Sequence, residues 1–411
     1  MKRVVVTGLG AVTPVGNTVE TFWESLKAGV HGFAPIAKID NSDMKAKVAA
    51  EVKNFEPSEY VSKGEIRKTD RHQLFAVAAA AQAATDSGIN AEENIDPTRL
   101  GVYIGTGIGG LDTMVAQADV MREKGPDRVS PFMVTMMIAN MASALVAIKF
   151  NARGINLPIV TACATATHSI GEAFRAIKHG YADAVFAGAA ESSINRLGVG
   201  GFTSALALSA SDDPDNASMP FDKRRNGFVM GEGAGVLLLE EYEHAKARNA
   251  KIYCEIGGYG NTCDAHHITA PHPEAEGTAL MIKNAFAEAG QIPDEKLYIN
   301  SHGTSTPLND AAETLAIKKA FGEELARKIV ISSTKSMTGH LLAAAGGIEA
   351  IACIKALQTG IVPPTIGYKE PDPACDLDYV PNTARKVDIN KALSTSLGFG
   401  GHNAGVLFVK I

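Results

Sequence analysis

The fold is indicated by a short apolar sequence that occurs twice in the chain. Ala234-Gly235-Val236-Leu237-Leu238-Leu239 recurs as Ala404-Gly405-Val406-Leu407-Phe408-Val409, and each copy follows a glycine-rich stretch. Cys163 lies 72 residues before Gly235 and Thr334 lies 71 residues before Gly405, both where a strand meets a helix. This spacing predicts two α/β halves, residues 1–250 and 251–411, each closing on a strand. Chance similarity between short apolar strings is the alternative explanation.

The remaining sequence alternates between β-branched runs and alanine-rich stretches, which is typical of α/β proteins. The predicted buried strands are residues 101–104, 184–187, 297–299 and 329–331. The predicted helices are residues 76–84, 169–177 and 347–357. In the helix after Cys163, Ile170, Phe174 and Ile177 follow the 3.6-residue period. We expect this face to pack against a sheet.

Composition excludes several classes of protein. The 411 residues are 45% hydrophobic and 20% charged, as in ordinary globular proteins. The net charge of −6 and the absence of a long basic block argue against a nucleic-acid partner. The longest apolar run, residues 74–81, is far shorter than a membrane span, so we expect no membrane insertion.

The cysteines and the amino terminus indicate a compartment. The first residues enter a predicted strand directly, without the pattern of a signal peptide. The five cysteines are scattered and lack zinc-site spacing. We therefore expect a cytoplasmic protein with reduced thiols.

Cys163 is the first candidate for chemistry. It follows the predicted strand Ile159-Val160-Thr161 and is flanked by alanines before a helix. A thiol at a helix amino terminus faces unpaired N–H groups, which favour the thiolate. An isolated cysteine is more often inert filler in a core.

Two histidines occur in comparable settings. His302 lies just past the strand 297–299, in Ser301-His302-Gly303-Thr304, and His340 ends the small polar stretch 333–340. Active-site residues gather at such strand ends, although either histidine alone is compatible with a structural role. Together with Cys163, they permit thiolate catalysis assisted by two imidazole donors.

A glycine-rich loop, Leu397-Gly398-Phe399-Gly400-Gly401-His402-Asn403, precedes the last strand. Its glycines let backbone N–H groups approach a ligand. Phe399 can serve there as a movable wall, with neighbouring N–H groups forming an oxyanion hole.

Taken together, these residues resemble the β-ketoacyl-acyl carrier protein synthases, the elongating type I/II condensing enzymes, and most of all the synthase II group. The resemblance runs nearly end to end and includes Val6-Thr7-Gly8-Leu9-Gly10, Thr161-Ala162-Cys163, residues 221–235, His302-Gly303-Thr304-Ser305-Thr306-Pro307, residues 335–340 and the glycine-rich loop. It implies a duplicated thiolase-like fold with five α-β-α-β-α layers, a homodimer and no required cofactor.

The resemblance also implies an activity and roles. Cys163 takes an acyl chain from acyl carrier protein, and His302 and His340 promote decarboxylation of malonyl-acyl carrier protein, so that the chain grows by two carbons. Lys335 supports the histidines, and the backbone N–H groups of Cys163 and Phe399 form the oxyanion hole. The implied substrate-binding residues are Ile108, Phe202, Thr304, Thr306, Gly398 and Gly400.

Two further sites follow from the resemblance. Lys63, Arg67 and Lys68 match a docking helix for acyl carrier protein, although a charge cluster of this kind is otherwise a solvated helix face. Asn300, Glu349 and Ser394 match positions that hold a monovalent cation in some relatives. The chain departs from frequent family residues at Asn226, Asn309, Thr395, Leu397 and His402, which bears on subtype and chain length.

Four other functions are compatible with parts of the sequence. A polyketide-type ketosynthase would share these motifs, whereas an inactive chain-length-factor-like subunit would lack Cys163. A thiolase would use a second cysteine near the carboxyl terminus, and residues 391–411 contain none. A dinucleotide-dependent oxidoreductase is suggested by the Gly-x-Gly-x-x-Gly pattern of residues 105–110, but no acidic residue closes a second strand about 20 positions later.

Overall fold

The computed structural model describes all 411 residues as thirteen strands and fourteen α-helices. The strands are β1 (Val4–Val12), β2 (Ala34–Pro35), β3 (Val48–Ala49), β4 (Leu100–Gly105), β5 (Ala184–Glu191), β6 (Gly233–Glu241), β7 (Cys254–Cys263), β8 (Leu297–Asn300), β9 (Val330–Ser332), β10 (Ile361–Val362), β11 (Arg385–Lys386), β12 (Lys391–Gly398) and β13 (His402–Val409). The helices are α1 (Val19–Ala28), α2 (Lys63–Ile66), α3 (Arg71–Ser87), α4 (Leu111–Lys124), α5 (Met133–Met137), α6 (Met141–Lys149), α7 (Thr165–Lys178), α8 (Arg196–Ser204), α9 (Tyr242–Ala247), α10 (Glu276–Ala289), α11 (Pro307–Phe321), α12 (Glu323–Ala326), α13 (Lys335–Thr338) and α14 (Ala345–Thr359).

Nine strands pair in the order β4-β5-β6-β1-β7-β13-β12-β8-β9. The two copies of the repeated apolar string form β6 and β13, which pair antiparallel with β1 and β7 respectively. The outer pairs β4–β5 and β12–β8 are parallel. The four strands before residue 250 thus mirror the inner strands after it, and the two sets meet where Val5 and Val6 pair with Glu255 and Cys254.

The helices form three layers around these two sets of strands. α7 and α14 contact strands of both sets and lie between them, whereas α3 packs on the outside of β1 and β6 and α10 on the outside of β7 and β13. The predicted face of α7 is buried, with Ile170 and Ile177 fully covered and Phe174 nearly so. This α-β-α-β-α arrangement is the predicted five-layered fold.

The central helix α14 is apolar on all sides. Residues Leu342–Thr359 have the length and hydropathy of a membrane-crossing helix, and 83% of that stretch is buried inside the protein. A helix that is hydrophobic all round is typical of the core of a large domain. Its environment in this fold is that of a core helix.

A short 3₁₀ turn precedes each central helix. Ala162–Ala164 leads into α7 and Leu342–Ala344 leads into α14, with positive φ angles of 50° at Ala162 and 49° at Leu342. The counterpart of Cys163 is therefore Ala343. The sequence comparison that aligned Cys163 with Thr334 was wrong by nine residues, because fewer residues separate the turn from the last strand in the second half.

Candidate active site

Cys163, His302 and His340 line one open cleft. Cys163 lies in the turn before α7, His302 follows β8, and His340 follows α13. β8 and β9 run parallel, so the loops after them lie at the same edge of the sheet, where α/β proteins place their ligands. The predicted catalytic set is thus brought together from both halves of the chain.

The Cys163 side chain is nearly buried, with 8% of the residue exposed. Burial raises the pKa of its thiol to about 12, although the Lys335 ammonium and the backbone N–H groups of Phe399 and Cys163 oppose the shift. Burial thus opposes the helix end, the Lys335 charge and the backbone N–H groups, all of which favour the thiolate.

The exposure of the other thiols also matters for reactivity. All five cysteines are free, and Cys263 is the exposed one. An alkylating reagent reaches Cys263 first, so preferential labelling does not identify the nucleophile in this chain.

Both imidazoles are buried and neutral. Burial, with Lys335 and His340 adding to it, holds the pKa of His302 well below its ordinary value, and burial with Lys335 does the same for His340. Their ring centroids lie 5.2 Å apart at an interplanar angle of 87°. The Lys335 Nζ lies 3.4 Å from His302 Nδ1. Because an ammonium only donates, Nδ1 accepts and the ring proton of His302 stays on Nε2.

Lys335 is itself almost fully buried and pairs with Glu349. Burial raises the pKa of the Glu349 carboxyl, and the neighbouring Lys335 ammonium opposes that shift. A buried charge of this kind persists only when it is paired. Burial, with the Lys335 charge adding to it, therefore keeps both histidines neutral, which leaves them as hydrogen-bond donors rather than as cations.

The glycine-rich loop closes over the nucleophile. A Cβ placed on Gly398 would lie 2.7 Å from the carbonyl oxygen of Thr161 and 3.4 Å from the nitrogen of Cys163, so only glycine fits there. The Phe399 ring lines the cleft and lies 6.3 Å from the Phe202 ring, between centroids. Gly400 does not line the cleft, contrary to prediction, and its neighbour Gly401 does.

Of the other predicted substrate-binding residues, three line the cleft and one does not. Thr304, Thr306 and Phe202 line the cleft, and the hydroxyls of the two threonines lie 3.0 Å apart. Ile108 is 42% exposed and does not line it. The single chain therefore does not place Ile108 in the substrate site, because the backbone after β4 turns its side chain towards solvent.

The oxidoreductase motif has a packing explanation. A Cβ on Gly109 would lie 2.5 Å from the Met137 carbonyl oxygen, and one on Gly110 would lie 2.1 Å from that of Met136. These glycines allow two protein segments to approach each other. They do not form an open cradle for a pyrophosphate.

The three residues predicted to hold a cation share an unusual property. Asn300 Oδ1, Glu349 Oε2 and Ser394 Oγ are each buried without a hydrogen-bond partner. Asn300 and Ser394 are paired across the parallel strands β8 and β12, and α14, which carries Glu349, packs on both strands. Buried polar atoms without partners are rare, and an oxygen set of this kind suits a hard cation.

The predicted docking residues lie on α2 or directly after it, and none of them lines the cleft. Lys63 begins α2, and Arg67 and Lys68 follow its end, with all three side chains exposed. The Lys68 Nζ lies 5.0 Å from the centroid of the Phe132 ring. The docking role stays a prediction.

Sequence reasoning missed Glu313, which supports the His302 loop from α11. Its carboxylate accepts the N–H groups of His302 at 2.7 Å and Gly303 at 2.8 Å, and the Thr395 hydroxyl at 2.8 Å. Burial raises the pKa of Glu313 to about 7. The available signal was the i, i+3 pair of acids Asp310 and Glu313 on a helix face that continues into Ala316 and Ile317.

Comparison with known proteins gives matches over both halves. The description "Beta-ketoacyl synthase, N-terminal domain" applies to residues 1–245 and "Beta-ketoacyl synthase, C-terminal domain" to residues 253–369. A 3-oxoacyl-[acyl-carrier-protein] synthase 2 from a Synechocystis strain is 52% identical over 410 residues, covering 100% of this chain and 98% of the relative. A protein of the same name from Staphylococcus aureus is 49% identical over 409 residues, with the same coverage.

The similarity extends to solved structures. One chain of a solved complex between a type II polyketide synthase acyl-carrier protein and its ketosynthase superposes with a TM-score of 0.92 at 35% identity, and the match covers 100% of this chain and 99% of that chain. The predicted thiolase-like fold and the predicted elongating ketosynthase, an acyltransferase of fatty acid biosynthesis, are confirmed. The names of the relatives favour this function over the polyketide-type and chain-length-factor alternatives. The chain belongs to the β-ketoacyl synthase family.

Proposed function

We propose that Cys163, His302 and His340 carry out a decarboxylative condensation between an acyl group on Cys163 and a malonyl thioester, both delivered by acyl carrier protein. The observation that carries this proposal is the single cleft that holds a buried thiol beside two neutral imidazoles. Neutral imidazoles donate hydrogen bonds without forming a fixed salt bridge to the malonyl carboxylate. That carboxylate is left free to depart as carbon dioxide.

In the first half-reaction, the Cys163 sulfur attacks the carbonyl carbon of the acyl thioester. The oxyanion that forms is held by the N–H groups of Cys163 and Phe399. The carbon–sulfur bond to the carrier arm then breaks, and the thiol proton of Cys163 passes to the departing arm. Each oxyanion donor of this kind contributes about 10²- to 10³-fold in rate.

In the second half-reaction, the thioester oxygen of the malonyl group accepts hydrogen bonds from His302 and His340. The bond to the carboxylate breaks, carbon dioxide leaves, and its electron pair forms an enolate that the two imidazoles stabilise. The enolate carbon attacks the carbonyl of acyl-Cys163. The carbon–sulfur bond breaks and the sulfur regains a proton, which leaves a 3-oxoacyl chain two carbons longer.

The cleft also suits the carrier arm. We assign the hydroxyls of Thr304 and Thr306 to the amides of a pantetheine arm, with Phe202 and Phe399 forming apolar walls. Lys63, Arg67 and Lys68 supply a positive surface for an acidic carrier protein. The relatives named 3-oxoacyl-[acyl-carrier-protein] synthase 2 and the solved complex of a similar ketosynthase with its acyl-carrier protein support this partner.

We further propose that the chain works as a cytoplasmic homodimer that joins along residues 154–160, the segment that pairs with the outer side of the buried strand β4. Leu157 and Val160, in the segment beside β4, and Ile108 after it are each 42–50% exposed. An exposed sheet edge with large apolar side chains is a common protein interface. The five unpaired cysteines are compatible with a reducing compartment.

A monovalent cation is proposed at Asn300, Glu349 and Ser394. The three unpartnered oxygens support it, and the ion would neutralise the face of the Glu349 carboxyl that does not meet Lys335. Thermal unfolding in potassium chloride and in tetramethylammonium chloride at equal ionic strength tests this. A higher midpoint with potassium supports the site, and equal midpoints contradict it.

A reconstitution assay tests the proposed reaction. The purified chain is incubated with malonyl-acyl carrier protein and a ladder of acyl primers on the same carrier, and carbon dioxide and 3-oxoacyl products are measured. We expect one carbon dioxide for each product formed. Release of carbon dioxide without condensation, or no release, would contradict the proposal, and the ladder gives the preferred chain length.

A further inference from the structure

The sequence motif of residues 221–235 has no role in the steps above, yet its segment braces the loop between His302 and α11. The backbone N–H of Met219 donates to Ser305 Oγ at 2.8 Å, and the N–H of Gly227 donates to the Ser305 carbonyl at 2.9 Å. Ser305 adopts a positive φ of 66°. A non-glycine residue keeps this conformation only where its surroundings impose it.

Arg225 makes the most extensive contacts of this segment. Its side chain is 5% exposed. Its guanidinium donates to three carbonyl oxygens, those of Asp222 at 2.9 Å, Pro307 at 3.1 Å and Thr306 at 3.3 Å, and to the Asp372 carboxylate at 2.5 Å. The planar five-donor fork of arginine can satisfy several acceptors at once, which lysine cannot.

These contacts occur where the loop has least support of its own. Glu313 holds the start of the loop through His302 and Gly303, whereas residues 304–306 form no helix or strand and Pro307, where α11 begins, has no N–H to donate. Asp310, one turn into α11, lies 3.8 Å from the guanidinium. Arg225 thus fixes both the end of the loop and the start of the helix.

We propose that Arg225 is a positioning residue for the carrier arm. By holding the Thr306 backbone, it sets the place of the Thr306 hydroxyl and of the Thr304 hydroxyl bonded to it, without touching substrate itself. The inference rests on the arm-binding role proposed for these threonines. A misplacement of about 1 Å in a positioning group can cost a large factor in rate or binding.

Arg224 offers a matched control. It is the adjacent residue of the motif, and its guanidinium pairs with Asp222 and donates to the Gly367 carbonyl at 2.9 Å. None of its hydrogen bonds reaches residues 301–307. Arg224→Met and Arg225→Met therefore both remove a guanidinium from the same segment, but only Arg225→Met releases the threonine loop.

The test compares the two variants, together with Arg225→Lys, in a Cys263→Ala background. Three quantities are measured: the Michaelis constants for acyl- and malonyl-acyl carrier protein, the rate at which iodoacetamide alkylates Cys163, and the thermal midpoint. We expect Arg225→Met to raise both Michaelis constants about tenfold with alkylation within about twofold of the parent. Arg225→Lys should be intermediate, and Arg224→Met should leave the Michaelis constants within about twofold whatever its thermal midpoint.

The route through Thr306 is tested by combining Thr306→Val with Arg225→Lys. We expect Thr306→Val alone to raise the Michaelis constants and Arg225→Lys to add little to it, since both act on one hydroxyl. Equal Michaelis constants in the Arg224 and Arg225 variants, or fully multiplicative effects of Thr306→Val and Arg225→Lys, would overturn the positioning role. An unchanged Michaelis constant in Thr306→Val would instead contradict the arm-binding assignment itself.

Discussion

The two halves of the molecule build the same junction twice and use it once. In the first half the turn before the central helix presents Cys163, and in the second half the equivalent turn, with the same positive φ at its first residue, presents Ala343. The thiol at one turn becomes a methyl group at the other. Backbone shape is therefore not what makes this junction reactive.

The strand ends show the same division. His302 stands two residues after β8, and at the equivalent distance after β4 the chain has Gly107. A Cβ built on Gly107 would lie 3.4 Å from the Cβ of Ala343. Gly107 and Ala343 therefore face each other at positions that correspond to those of His302 and Cys163 in the cleft. Duplication supplied two sites of one geometry, and small residues closed one of them.

Each junction also has a buried carboxylate below it. Glu191 accepts the N–H of Gly107 at 2.9 Å, as Glu313 accepts those of His302 and Gly303. Burial raises the pKa of both carboxyls. The two carboxylates come from different elements, Glu191 from the end of β5 and Glu313 from α11, so they are similar supports rather than duplicated positions.

The largest effect on activity is expected when the turn that carries Cys163 is given the alanine found in the equivalent turn at Ala343. Cys163→Ala should reduce condensation by at least about 10³-fold, since no nucleophile remains. The fold should survive, because Ala343 already occupies the same turn, and the thermal midpoint should stay close to that of the parent. Cys263→Ala is the control and should keep full activity. Condensation within tenfold of the parent in Cys163→Ala would contradict the assignment.

The roles of His302 and His340 are tested by measuring acyl transfer and decarboxylation separately. His302→Ala and His340→Ala should each slow decarboxylation of malonyl-acyl carrier protein by about 10²- to 10³-fold, because one donor to the enolate is lost. Acyl transfer to Cys163 should suffer less, since its oxyanion is held by backbone N–H groups. Rapid-quench measurement of acyl-enzyme and of carbon dioxide separates the two. Equal losses in both would mean that a histidine is the base for the cysteine.

The third prediction concerns the titration of the buried Glu313 carboxyl near neutral pH. Its pKa in the folded protein is about 7, above the ordinary value of 4.5. The stabilisation from protonated Glu313 is therefore fully present below about pH 4.5 and is lost as the pH rises through 7. Glu313→Gln resembles the protonated side chain at every pH. Relative to this variant, the free energy of unfolding of the parent should fall between pH 5 and pH 8 by up to about 3 kcal/mol.

Denaturant titrations at pH 5 and pH 8 measure this difference, with Glu295→Gln on an exposed loop as the control. A difference between parent and Glu313→Gln that is the same at both pH values would show that Glu313 does not titrate in this range.

The sequence was sufficient for the chemistry and for the layers but not for the environment of each group. Cys163, His302 and His340 were found because each lies among small residues where the sequence predicts the end of a strand, although only His302 directly follows a strand in the structure. The burial of the thiol, which raises its pKa, was not predictable from the local motif, because distant segments of the chain supply it. Glu313 was missed because its partners come from β8 and β12. Ile108 is half-exposed beside the cleft, and its place in the acyl pocket stays a prediction.

The smallest effect is expected for α2, which lies in the connection that is much longer in the first half than in the second. Residues 13–99 join β1 to β4, whereas residues 264–296 join the equivalent β7 to β8, and only the longer connection carries α2 with Lys63, Arg67 and Lys68. Charge reversal of the three to glutamate should raise the Michaelis constant for acyl-acyl carrier protein about tenfold, with little change for a free pantetheine thioester.

The dependence on salt gives the same prediction a second measurement. Contacts between exposed charges are screened over about 8 Å at physiological ionic strength, so the Michaelis constant of the parent should rise with salt and that of the reversed variant should not. A control that reverses three other exposed lysines, Lys246, Lys283 and Lys410, has the same net charge but leaves α2 intact. If that control weakens binding equally, long-range charge and not docking at α2 is responsible. If the α2 variant affects both substrates equally, α2 acts on the fold and the carrier protein docks elsewhere.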